Sequence, residues 1–149
     1  MSNKRLLFGG RYIESCGPWS YRWRRLRLRW WLKRCNAVVV NEYVPDDAVH
    51  GVVEAADTVI VPRVGELAFG TLPLGLTFGR VVVAPNEGVF PEYLAGTENP
   101  LYAPRDGASL GVALERAARL DSAVMNTHNR QLTDSGSWDE IVMQCVKAL

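Results

Sequence analysis

The sequence predicts an α/β fold, a parallel sheet with helices on both faces. Three observations carry the prediction. Short, continuously apolar, β-branched runs recur along the chain, as strands buried on both faces require. Segments with apolar residues at helical spacing stand between them, and Pro or Gly closes run after run. With 149 residues, 48% hydrophobic and 22% charged, the chain can bury a real core, which excludes a disordered, collagen-like or disulfide-scaffold protein. No stretch approaches the ~18 apolar residues of a membrane-spanning helix, and the run after the opening MSNK is too short for a signal peptide. A cytoplasmic protein is expected.

Taken in order, Lys4 to Phe8 is a short apolar run ending at Gly9-Gly10, a strand and a turn. Pro18 to Cys35 is basic and Trp-rich. Trp19, Trp23, Leu26 and Trp30 recur at spacings of 4, 3 and 4, one helical face, with Leu28, Trp31, Leu32 and Cys35 opposite. Arg25 to Trp30 also alternates with period 2, so a strand stays open, although length, Pro18 and the Arg and Leu content favour helix. Ala37 to Val40 is a second strand, and Asp46-Asp47 marks a helix start running to about Ala56. Asp57 to Val61 is a third strand closed by Pro62. Gly65 to Gly70 reads as a loop, Thr71 to Phe78 as a short helix, and Val81 to Ala84 as a strand closed by Pro85. Asn86 to Gly88 is a loop, Pro91 to Leu94 a helical turn, Leu101 to Ala103 an edge strand, Asp106 to Leu120 a helix and Trp138 to Leu149 a last helix.

The charge divides unevenly. Residues 1–35 hold 10 Lys/Arg and one acid, Glu14, whereas residues 36–149 hold 7 and 15, so a head of +9 precedes a body of −8. The chain therefore divides into a basic head, 1–35, with the first strand and helix, and a body, 36–149. The head has three readings: a helix packed on the sheet with its cations solvated, a helix on an anionic membrane surface through residues 19–34, or a face for an acidic partner. Nucleic acid is not expected beside an acidic body.

In an open parallel sheet a ligand binds beyond the carboxyl ends of the strands. The strand end at Val61 leads through a Gly-containing loop to Gly70 and Thr71. A glycine there suits unusual backbone angles and lets the backbone pass close to a ligand, while the Thr71 and Leu72 amides open a helix whose dipole favours phosphate. A plain exposed helix start fits the same residues equally.

Here the sequence resembles the retaining glycosyltransferases of group 1, or family 4, with the GT-B fold. Ala55 to Pro62 is similar to the family's AADVVVLP strand. Phe69-Gly70, Leu74, Phe78-Gly79-Arg80 and Val82 to Pro85 resemble its helix and following strand, closest to the form SGSLILALSFGRPVVAP. Asn86 to Glu92 is similar to GGxPE, Leu101 to Pro104 to LYDP, Ser137 to Ile141 to SWDxIA, and Glu42 to Asp47 to YVPDDEV. The order is colinear from about Ala37 to the C-terminus, and no single motif is specific. The resemblance implies an incomplete Rossmann-like sheet, the C-terminal half of a GT-B fold, binding a nucleotide-diphosphate-sugar as donor substrate without a further cofactor or metal. It implies that Glu66 approaches the sugar, that Gly70, Thr71 and Leu72 hold the diphosphate, and that the backbone near Val44 flanks the base. Gly75 falls where the ribose-binding Glu of the family lies, and Glu66 is one residue out of register for the sugar-binding Glu. The acceptor domain, and the first strand with its diphosphate-neutralising Arg and Lys, have no counterpart here. The expected function is the donor-binding part of a hexosyltransferase, inactive alone and needing an acceptor-binding partner chain. The alternative is a non-catalytic interaction or regulatory subunit.

Other candidates are weaker. Cys16, Cys35 and Cys145 form no CxxC pair and, with His50 and His128, no zinc spacing. His50 reads as a packed or surface histidine, His128 as solvated in the polar stretch Asn126 to Arg130, and Glu92 either as a site residue or as a helix-start acid.

Overall fold

A computed structural model of the chain describes residues 7–9, 23, 26, 27, 30, 34, 38–40, 44–62 and 70–134. It divides into two units, Met1–Val52 and Val53–Leu149. In the first, β1 (Leu7–Gly9) pairs in parallel with β2 (Val38–Val40), Leu7 opposite Val38 and Gly9 opposite Val40. Trp23, Leu26, Arg27, Trp30 and Arg34 are helical, which decides between helix and strand for this stretch. Trp23, Leu26 and Trp30 are exposed, so this face does not pack on the sheet, while the opposite face of Leu28, Trp31, Leu32 and Cys35 lies outside the described residues.

Helix α1 (Asp46–Glu54) starts directly after Pro45, whose carbonyl accepts from the Ala48 and Val49 amides at 2.9 and 3.1 Å. Asp46 and Asp47 occupy its first turn, where the dipole favours acids. It ends at Glu54, short of the expected Ala56, and His50 is exposed on it.

The second unit is built on a three-stranded parallel sheet in the order β3 (Thr58–Ile60), β4 (Val81–Pro85), β5 (Leu101–Tyr102). Thr58 pairs with Val81 and Ile60 with Val83, and Ala84 pairs with Leu101 and Pro85 with Tyr102. Every residue of β4 is buried, as expected of a central strand with both faces covered. Its alternation builds two cores. Val82 and Ala84 pack with Val61, Leu72, Leu76, Phe90 and Leu94, bringing in α2 (Thr71–Thr77) and the short α3 (Phe90–Tyr93). Val81 and Val83 pack with Tyr102, Ala113, Ala117 and Met125, bringing in α4 (Gly107–Ala117) and α5 (Ser122–Asp134).

Helix α4 is capped by Asp106, whose carboxylate accepts from the Ala108 and Ser109 amides at 2.9 and 3.2 Å. Helix α5 was not expected: the polar stretch Asn126 to Arg130 lies inside thirteen residues of helix, started by Asp121, which accepts from the Ala123 amide at 2.9 Å. His128 is half-buried on it. Its inward face is partly polar because Asn129, fully buried, donates to the Arg80 carbonyl at 2.8 Å and accepts from the Asn99 amide at 2.8 Å. Asn99 in turn donates to Thr97 Oγ1 at 3.2 Å and accepts the Val82 N–H at 2.8 Å, so this buried network is fully paired. Where α5 passes the turn before β4, Gly79 has φ +64°, and a Cβ there would meet Asn126 Cγ at 2.5 Å. Both the backbone angle and the close approach demand glycine. The expected strand start at Lys4, the helix from Trp138 and all three cysteines lie outside the described residues.

Candidate functional site

The carboxyl ends of the three strands are locked together before any loop begins. The Val61 N–H donates to the Val83 carbonyl at 2.9 Å, and the Val61 carbonyl accepts from the buried Tyr102 hydroxyl at 2.9 Å. The Asn86 N–H donates to the Tyr102 carbonyl at 2.7 Å. Burial pushes the Tyr102 phenol up from its ordinary value of 10.0 by desolvating the anion. Two chain segments leave this edge. One follows exposed Pro62 through residues 63–69, including Glu66, which lie outside the described residues, and returns at Gly70. The other is the exposed Asn86 to Val89 turn, with Gly88 at φ +62°, leading into α3 and the exposed Glu92 in its first turn.

Gly70 opens α2 with φ −58° and ψ −35°, an ordinary helical backbone, so the expectation of unusual angles is corrected. Nor does packing demand glycine here: a Cβ built at Gly70 meets nothing within 4 Å among the described residues. The glycine also provides no capping side chain. The first helix amides have no acceptor within the helix. Pro73 has no N–H and the Leu74 N–H already donates to the Gly70 carbonyl at 3.2 Å, which leaves Thr71 and Leu72 as the amide donors of this turn. Thr71 is exposed, whereas the Leu72 side chain is wholly buried in the core and anchors the turn.

Gly75 has a different duty. A Cβ there would lie 2.8 Å from Val82 Cγ2 and 3.3 Å from Val59 Cβ, so the position faces the sheet and packs α2 upon it. A side chain at 75 points into the core, which is why no ribose contact is assigned to it. Val44 belongs to the other unit, half-buried just before α1.

Among the described residues the start of α2 offers neutral amides, while Arg63 and Glu66 of the preceding loop lie outside them. From residue 64 to 79 the sequence has no Lys or Arg. Arg80 stands at the amino end of β4, where its carbonyl takes Asn129 and its Nε is buried without a hydrogen-bond partner among the described residues. Among the described residues no three His, Cys, Asp or Glu come together as a metal site, and no helix is long and apolar enough to cross a membrane.

Among solved structures, the chain is similar to a sucrose-phosphate synthase from Thermosynechococcus elongatus, with a TM-score of 0.69 and 22% identity. The fold resembles part of a GT-B glycosyltransferase. The match covers 97% of this chain and 37% of the synthase, so the chain spans well under half of that protein's length. No family model matches the chain, and no curated protein matches it in sequence. At 22% identity the likeness establishes the fold, and chemistry has to be argued from the site.

The network of Asn99 and Asn129 and the bond from Tyr102 to Val61 escaped sequence reasoning, because each joins residues far apart in the chain, separated by 30 and 41 positions. The signal available was polar residues at core spacing: Met125 and Asn129 are four apart on one helix face.

Proposed function

We propose that this chain is the nucleotide-diphosphate-sugar-binding part of a hexosyltransferase, with the donor diphosphate at the start of α2. The observation that supports this reading is the GT-B-like fold over 97% of the chain combined with an exposed glycine, Gly70, at the start of α2, where a built Cβ meets nothing within 4 Å among the described residues. In this reading Glu66 approaches the sugar from the loop between β3 and α2. Transfer then requires an acceptor bound opposite the donor, since positioning two reactants supplies a large share of such a rate. An acceptor-binding partner chain or domain would provide it.

A second reading, a non-catalytic interaction or regulatory domain, is favoured by the stretch from residue 64 to 79, which carries no Lys or Arg to pair with a diphosphate. A diphosphate held by neutral amides alone lacks charge-assisted contacts worth about 1.5–3 kcal/mol each. Titration calorimetry with a panel of nucleotide-diphosphate-sugars separates the two. Saturable binding of one donor supports the transferase reading, and absence of binding across the panel at millimolar concentration leaves the interaction domain.

A further inference from the structure

The helical stretch of the first unit turns large apolar side chains outward. Trp23, Leu26 and Trp30 are 68%, 60% and 63% exposed, and Arg27 and Arg34 are exposed as well. At 3.6 residues per turn these five positions fall within a stripe roughly 100° wide. Apolar groups and cations therefore share one open face. The Arg34 guanidinium lies over the Trp30 ring, 5.3 Å from its centroid, and a guanidinium stacked through its flat face keeps its in-plane N–H donors for an oxyanion. From residue 15 to 41 the sequence holds seven cations, Arg22, Arg24, Arg25, Arg27, Arg29, Lys33 and Arg34, and no acid.

The chemistry of an occupant follows from this mixture. A protein partner would have to supply carboxylates for a run of seven cations with no acid among them, and every cation it buried without one would carry an uncompensated desolvation cost. A phospholipid surface meets both needs at one depth, with phosphates for the arginines and the acyl boundary for the indoles and Leu26. We propose that this face docks the chain on an anionic phospholipid surface, with Trp23, Leu26 and Trp30 entering the headgroup region and Arg27, Arg34 and the neighbouring cations pairing with lipid phosphates. This does not depend on the donor-binding reading.

The test is flotation of the full chain with vesicles of phosphatidylcholine alone or mixed with phosphatidylglycerol, with tryptophan emission recorded in parallel. The chain should float with the anionic vesicles only, its emission should shift blue, and binding should weaken at least tenfold as added salt shortens the Debye length from ~10 to ~3 Å. Replacing Arg24→Gln, Arg25→Gln, Arg27→Gln and Arg29→Gln together should weaken binding by about fivefold per charge, a hundredfold or more in total. The double variant Trp23→Ser/Trp30→Ser keeps every charge; it should lose the blue shift and bind at least tenfold more weakly, which tests the face even where the Arg variant fails to fold. Failure of the parent to bind anionic vesicles at low salt overturns the proposal, as does equal binding to neutral vesicles or a Trp variant that binds and shifts like the parent. Capture of an acidic protein by a chain that ignores vesicles would overturn it in favour of protein docking.

Discussion

The Tyr102 hydroxyl donates to the Val61 carbonyl across 2.9 Å, so the carboxyl ends of β5 and β3 are bonded to each other with β4 between them. The edge from which the candidate site emerges is thereby held by a side chain as well as by the strand ladder.

Tyr102→Phe removes the donor and strands the Val61 carbonyl in a residue only 2% exposed. The expected loss is about 1–3 kcal/mol, read as a lower urea midpoint at neutral pH. The same variant alters the alkaline limb. The folded phenol titrates above the unfolded value of 10.0, so its contribution is fully present below that pH and is lost as pH rises through the folded pKa. The parent should lose stability there and the Phe variant should lose less. Identical alkaline limbs would show that the phenol is not desolvated.

Asn129→Ala leaves the Arg80 carbonyl without this donor and removes one partner from each end of the Asn99 amide. Each orphaned buried group costs about 1–3 kcal/mol, and a cycle with Asn99→Ala should return a coupling of about 0.5–3 kcal/mol. Strict additivity in equilibrium denaturation would contradict a direct bond.

Gly75→Ala sets two effects against each other. Alanine improves helix propensity by up to ~1 kcal/mol, but its Cβ falls 2.8 Å from Val82 Cγ2 on a fully buried, β-branched side chain with little freedom to turn. Overpacking of about 1–3 kcal/mol should win, and chemical denaturation should find the variant less stable than the parent.

Gly70→Val probes the donor reading once calorimetry has identified a ligand. The position is exposed, helical and free of neighbours within 4 Å, so stability should change by less than ~1 kcal/mol. Affinity for the nucleotide diphosphate should fall at least tenfold, because the branched side chain fills the approach to the Thr71 amide. Unchanged affinity would put the phosphate elsewhere.

Much of the second unit was legible because its strands obey one rule. Val81 to Pro85 is apolar at every position since both faces are covered, and such a run with Pro at its end reads as a strand without help from context. Helix α5 was illegible for the converse reason. Its sequence SAVMNTHNRQLTD places an asparagine at a core position, and apolar periodicity is blind to a buried polar group that long-range hydrogen bonds satisfy. The start of α2 was placed correctly, but the backbone angles and packing of its glycines were not legible. Gly70 was credited with unusual angles and has helical ones, while Gly75, read as a vacant ligand position, is a contact between helix and sheet. Neither the φ of one residue nor the neighbours of another is written in local sequence.

The paired asparagines also impose an order of events. The carbonyl of Arg80 waits for a side chain 49 positions downstream, and the Asn99 amide for one 30 positions downstream. A polypeptide synthesised from its N-terminus can form β3 and β4 and bury their valines while these polar groups still face water. Closing so long a loop is slow relative to local helix and turn formation. The arrival of Asn129 is then the act that seals the sheet, and any nascent or truncated chain ending before it carries an open polar seam along the amino end of β4.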